Sequence, residues 1–260
     1  IIALLIGILL PALGAARDTA KTVRSLAASR SLMAAYTLYS NDHDGYLLPT
    51  FLSLDQAGES TIVDDFGNEL PYPINARWAF RLGPYFDYAW EGTTHVGERQ
   101  SIVERIRGGS GELASLNGWP YEISIISSFG INYRYVGKDN REVQVFPGFD
   151  PPPTYFIERQ VEAFDPSGLI TFASSRLFIT DQPVEGHYIV EPPAVDAVFD
   201  ETLRHTTVAS RFGWLHPRYN GKAAVGWMDG HASLQSEDEL RDRRNWVNRA
   251  RQLGDADWQP

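Results

Sequence analysis

Residues 1–40 read IIALLIGILLPALGAARDTAKTVRSLAASRSLMAAYTLYS, and the fold turns on whether this stretch is a single helix. Ile1 to Ala16 has no charge and no hydrogen-bonding side chain. As an α-helix it is about 24 Å long, short of the roughly 30 Å hydrocarbon core of a bilayer. The chain starts without Met inside this run, so we expect further apolar residues upstream to complete a span. A buried core helix would carry a polar face, which is missing here. A signal peptide would suit the small residues of Leu13-Gly14-Ala15-Ala16, but it gives no reason for a long helical pattern after them. Arg17 to Ser40 contains no Gly or Pro. Its apolar residues recur at Ala20, Val23, Ala27, Ala34 and Leu38, while Arg17, Lys21, Arg24 and Arg30 take other positions. The pattern predicts one helix of about 40 residues and about 60 Å, apolar in its first half and amphipathic in its second. Pro11 should kink the apolar half, which membrane helices tolerate. Taken alone, the cations at Arg17, Lys21 and Arg24 would hold their end in the cytoplasm, so the opposite orientation needs a stronger basic signal upstream.

Beyond Ser40 the composition changes. Most of the 16 prolines and 22 glycines come after residue 44, which suggests a loop-rich head. We therefore divide the chain into an anchor and assembly helix, 1–44, and a globular head, 45–260. At 260 residues, 43% apolar and 12% aromatic, the chain can build a packed core. A net charge of −10 argues against a nucleic-acid partner. Without cysteine there is no disulfide, thiolate site or cysteine nucleophile. Seven acidic residues and no Lys or Arg lie between Asn41 and Ala76. Within them Asn41, Asp42 and Asp44 offer oxygen ligands in a tight turn, a weak calcium-type candidate, but Phe51 stands where a closing glutamate would be. A helix cap and turn is the plainer reading.

In the head, Asp229-Gly230 between Ala223–Met228 and His231–Leu234 predicts a hairpin with a tight primed turn. Ile123–Val136 and Arg176–Thr180 read as strands, and Val143–Phe146, Tyr155–Glu158 and Tyr188–Val190 as weaker ones. Ala76–Phe86 reads as a short helix. Ser236–Arg251 reads as a terminal helix with a capping box at Ser236 and Glu239. The expected fold is α+β: a long N-terminal helix packed on an antiparallel sheet. No Gly-x-Ser-x-Gly, His-Glu-x-x-His, phosphate-binding loop or dinucleotide fingerprint occurs. Six scattered histidines lack metal spacing. Nothing here points to catalysis or to a resident cofactor. Trp78, Trp90, Trp119, Trp214 and Trp227 fit core packing better than a sugar platform.

Leu9-Leu10-Pro11-Ala12-Leu13, the basic helix after it, and Tyr39-Ser40-Asn41-Asp42-His43-Asp44-Gly45-Tyr46-Leu47 resemble the N-terminal region of type IV pilin-like proteins. More narrowly, they resemble the prepilin-type family abundant in planctomycetes. Ser127–Asn132 and Ser174–Asp181 resemble two internal strands of that family. Its C-terminal pattern is a histidine, nine residues, then Asp-Gly. Here Asp229 and Gly230 match, but Tyr219 takes the histidine's place and His216 comes three residues too early. The resemblance implies a pilin-like fold and a structural subunit of a type IV pilus or type II secretion pseudopilus. It implies a single pass through the bacterial inner membrane, with the head in the periplasm or at the cell surface. Its partners would be other pilin or pseudopilin subunits and a prepilin peptidase acting upstream of Ile1. The anchor and assembly residues would be Ile1, Leu4, Leu5, Gly7, Leu9, Leu10, Pro11, Leu13 and Gly14. The competing reading is a membrane-tethered module that binds polysaccharide or another envelope ligand without polymerising. An envelope hydrolase is a weaker third.

Overall fold

The structure, a computed structural model, describes residues 2–96, 102–109, 114–137, 155–179, 182–194 and 209–259. Ile1 and the strand expected at Val143–Phe146 lie outside them. Helix α1 runs unbroken over Ile2–Asp42, with Pro11 inside it. At 41 residues it is about 62 Å long. It stops where Asp44 and Gly45 turn into the left-handed region at φ 52° and 82°. The Gly45 N–H closes the last turn on the Ser40 carbonyl at 2.8 Å, as a C-terminal cap does.

Three short helices come next: α2 (Leu54–Ala57), α3 (Trp78–Leu82) and α4 (Ile102–Arg107). A 3₁₀ turn, Gly83–Phe86, extends α3, so the helix expected at Ala76–Phe86 is there. Helix α5 covers Ala114–Ile125 and leads into strand β1, Phe129–Asn132. The expected strand Ile123–Val136 is therefore wrong at both ends: Ile123–Ile125 are helical, and Tyr133–Tyr135 turn away. Tyr155–Glu158 is not a strand either, holding only an isolated bridge from Ile157 to Val136. Strands β2 (Ile170–Ser174), β3 (Arg176–Ile179), β4 (Gln182–Glu185) and β5 (Ile189–Val190) lie beyond it, then β6 (Ala223–Trp227) and β7 (Ala232–Gln235).

The main sheet has the order β5-β1-β2-β6-β7, and β3 and β4 form a separate hairpin. β1 pairs with β5 in parallel, whereas β1–β2, β2–β6 and β6–β7 are antiparallel. The sheet is thus mixed rather than antiparallel. β5 approaches β1 closely at Gly130, where an added Cβ would meet the Ile189 carbonyl carbon at 2.4 Å.

Both faces of the sheet are covered. Alternate residues of β6 divide between them, as strand geometry requires. Ala224 faces α1 with Leu32, Met33, Tyr36 and Phe172. Ala223, Val225 and Trp227 face the other way, onto Leu240, Trp246, Val247 and Ala250. Those four come from α6 (Glu237–Arg241) and the segment through α7 (Asn248–Leu253). The single terminal helix expected at Ser236–Arg251 is broken in two, because Asp242 is extended (φ −66°, ψ 108°) and caps a new turn through Arg244 N–H. The capping box at Ser236 and Glu239 is present.

Candidate functional site

Helix α1 has two faces with different fates. Toward the sheet it buries Ser25, Ala28, Ser29, Leu32, Met33, Ala35, Tyr36 and Ser40. Small residues lie there because the helix crosses the sheet at close range. A Cβ on Gly226 would sit 2.8 Å from both Met33 Cγ and Ser29 Oγ. The residues read from sequence as the packing stripe, Ala20, Val23, Ala27, Ala34 and Leu38, are not in the buried set: Ala20, Val23, Ala34 and Leu38 are exposed and Ala27 stands open beside them. At about 100° per residue they fall within an arc of about 60° opposite the buried face. Leu13 and Ala16 extend that arc toward the N-terminus. This is a correction of face, not of helix.

Large apolar side chains are exposed along α1: Leu10 is 67% exposed, Leu13 62%, Val23 59% and Leu38 52%. Everything from Leu10 to Ala20 is exposed, so the stem projects beyond the head. Leu4, Leu5, Gly7 and Leu9 lie in the same helix. Pro11 is inside it, and Gly14 has open space around it. Among the described residues no helix is long and apolar enough to cross a membrane.

The exit turn forms a shoulder of the head. Its backbone is tied to a second segment by Leu47 N–H to the Glu158 carbonyl (2.8 Å) and Gln160 N–H to the Gly45 carbonyl (3.0 Å). Arg159 donates to the Asp44 carbonyl at 2.6 Å and stacks on the Tyr46 ring, 4.6 Å from its centroid. A groove of about 620 Å³ lies here, lined among others by Tyr39, Asp42, His43, Asp44 and Glu158. The His43 ring stacks on Tyr39 at 3.9 Å. Asp42 interacts with the Tyr85 hydroxyl and contributes, after burial, to holding that phenol above its usual range. Among the described residues no group of three or more His, Cys, Asp or Glu is arranged to hold a metal ion.

The C-terminal pattern falls into two turns. Tyr219 and Lys222 bridge across Asn220 and Gly221, whose φ values of 52° and 76° make a primed turn. Sequence reading misses that turn, although Asn-Gly is its strongest short signal. Asp229-Gly230 does join β6 to β7, but only Gly230 is left-handed (φ 96°). The connection holds Gly230 N–H on the Trp227 carbonyl (2.9 Å) and Trp227 N–H on the His231 carbonyl (2.9 Å). It is a bulged loop rather than a primed turn. Asp229 Oδ1 accepts from His231 N–H at 3.1 Å and contacts His231 Nδ1 at 2.6 Å. The Tyr219 hydroxyl hydrogen-bonds Ser25 Oγ and so fastens its turn to α1.

Among the other described histidines, His95 and His187 are buried and His216 is half-buried. His95 is 1% exposed, its Nδ1 2.8 Å from Thr94 Oγ1, and burial pushes its pKa down to about 4. His216 is held well below the usual range by burial and then by Arg218 and Arg176. Trp78, Trp90 and Trp227 are buried, and Trp119 and Trp214 half-buried. No family model, curated protein or solved structure matches the chain.

Proposed function

We propose that this chain is a structural pilin or pseudopilin-like subunit, held in the bacterial inner membrane by α1 and assembling into a type IV pilus or type II secretion pseudopilus. The observation that carries the reading is the outer face of α1. The helix is anchored to the head by one face, yet the opposite face, from Leu13 to Leu38, is apolar and exposed. In water that surface is unfavourable by about 25 cal/mol for every Å² exposed. Lipid around the stem and neighbouring helices along its length remove it from water. Small residues such as Gly14, Ala20 and Ala27 let helices approach closely once they leave lipid for a bundle. Head-to-tail contacts of this kind do not close, and they extend into filaments. The head, between sheet, α1 and C-terminal helices, is the rigid outer body. No catalytic role is assigned to it. A prepilin peptidase acting upstream of Ile1 is the processing partner.

The test is expression of the leader-bearing precursor with a prepilin peptidase and an assembly machine, then shearing and electron microscopy. Leader removal and sheared filaments labelled by antibody to the head support the proposal. A processed chain that stays monomeric in the membrane supports the tethered binding module instead.

A further inference from the structure

The shoulder carries an exposed apolar ridge that the fold itself does not use. Val161 is 85% exposed and Phe164 64%. They are not on a slack loop. Glu162 Oε2 accepts the backbone N–H of Glu158 (2.9 Å) and of Arg159 (3.3 Å). Asn248 then clasps the segment, accepting Phe164 N–H on Oδ1 at 2.7 Å and donating Nδ2 to the Glu162 carbonyl at 2.9 Å. Asp165 holds Arg251 at 2.5 Å. These hydrogen bonds brace a segment that presents two large apolar side chains to water. Surface residues of this size are normal singly; here two stand three residues apart on a braced segment that Glu158 joins to the groove.

The rim of the ridge is acidic. Asp42, Asp44 and Glu158 line the groove, Glu162 and Asp165 belong to the ridge segment, and Arg159 and Arg251 are the cations bonded there, leaving a charge of −3. The stem of α1 has the opposite character. Ala20, Val23 and Ala27 form its outer apolar strip. Arg30 lies on one side of that strip, and Arg17 and Arg24 on the other, at about 100° per residue. From Arg17 to Arg30 the stem holds four cations and one carboxylate, Asp18. An apolar ridge with an acidic rim therefore exists on the same chain as an apolar strip with a basic rim.

We infer that the Val161–Phe164 ridge of one subunit seats on the Ala20–Val23–Ala27 strip of a second copy of this chain. The two surfaces lie at different heights, since Asp42 and Val23 are separated by 19 residues of α1, about 29 Å along the axis. Contact between them sets neighbouring copies out of step by that distance. It is heterologous and leaves a ridge and a strip unused at the two ends, so it propagates. Charge complementarity fixes the register, and reversing a rim charge juxtaposes like charges. The inference rests on the filament reading above and adds which surfaces meet.

The test exploits the absence of cysteine. Differently tagged full-length chains, one bearing Val23→Cys and the other Val161→Cys, are co-produced in membranes with the assembly machine and treated with a short bismaleimide. Phe164→Cys replaces Val161→Cys in a second arm, as either side chain is exposed and neither substitution burdens the fold. The expected result is a mixed-tag product in both arms. Arg30→Glu on the Val23→Cys chain should lower its yield about threefold to fivefold. Asp42→Lys on the ridge chain should restore it. Same-tag products of Val23→Cys without any mixed-tag product would overturn the ridge assignment and leave the filament reading standing. Absence of both kinds of product would overturn the filament reading as well.

Discussion

Replacing Gly226 by Ala tests the packing of α1 on the sheet at its tightest point. The new Cβ would meet Met33 Cγ and Ser29 Oγ at 2.8 Å. Two effects oppose each other. Ala in a strand relieves about 0.5–1 kcal/mol of glycine's backbone entropy loss. Overpacking a well-filled contact costs about 1–3 kcal/mol. The second wins, because the Ser29 hydroxyl is short and rooted in a helix that also buries Leu32 and Tyr36. The net loss should be about 1–2 kcal/mol, or roughly 3–6 °C in Tm for a chain of this size. The assay is urea unfolding of the detergent-solubilised chain, monitored by fluorescence of buried Trp78 and Trp246. Ser29→Ala in the same chain removes one of the two clashing atoms and should recover at least about 0.5 kcal/mol as a coupling energy. Gly14→Ala, which has nothing within 4 Å, should leave head unfolding unchanged. A Gly226→Ala chain as stable as the parent would refute the placement of α1 over β6.

The same geometry predicts the outcome of other perturbations. Asn132 Nδ2 donates to the Ile170 and Trp246 carbonyls at 3.0 Å each, so Asn132→Ala should cost about 1–3 kcal/mol in urea midpoint experiments. Tyr219→Phe removes the hydroxyl bound to Ser25 and should cost about 1 kcal/mol without altering the far-ultraviolet spectrum. Gly221→Val, at φ 76°, should cost at least about 1 kcal/mol through backbone strain. For pH, the folded state keeps His95 neutral down to about 4, whereas the unfolded chain protonates it near 6.5. Stability is then complete above pH 6.5 and falls as the pH drops toward 4. By pH 5 the loss from His95 should be about 2 kcal/mol, and His216 adds to it in the same direction. The carboxylates held below their usual range, Asp64, Asp165, Glu239 and Asp242, lose their contribution only at lower pH. Urea midpoints at pH 7.5 and 5.0, with His95→Gln flattening the difference, check the sign.

Legibility in the sequence depends on how unambiguous the local chemistry is. Helix α1 is plain because Ile2 to Ser40 contains no turn residue but Pro11 and two glycines in an apolar run. The β6–β7 hairpin is visible from Asp229-Gly230, yet its expected turn type is wrong, because Asp229 stays out of the left-handed region while Asn220-Gly221 supplies the primed turn. Strand β2 escapes a sequence reading although it is central. With both sheet faces covered, Ile170–Ser174 buries every residue and shows no alternation. Ile123 and Ile125 mislead through their β-branched side chains, although they form the last turn of α5. The stripe on α1 is misassigned for a physical reason. Close approach at Gly226 selects serine and alanine for the buried face, so a more apolar arc is left outside. The acidic Asn41–Ala76 stretch is visible, but its pairing with Arg159, Arg107 and Tyr85 needs three dimensions.

The central claim is that the outer face of α1 contacts other copies of the chain. Two-cysteine variants test it most directly, each with Val161→Cys on the ridge and either Val23→Cys on the outer face or Ser29→Cys on the face buried against Gly226. After insertion in membranes with the assembly machine and treatment with a short bismaleimide, the Val23→Cys, Val161→Cys chain should give a ladder of covalent multimers and the Ser29→Cys, Val161→Cys chain only monomer. Monomer alone from the Val23→Cys, Val161→Cys chain, with both thiols fully open to a water-soluble maleimide, would contradict the account.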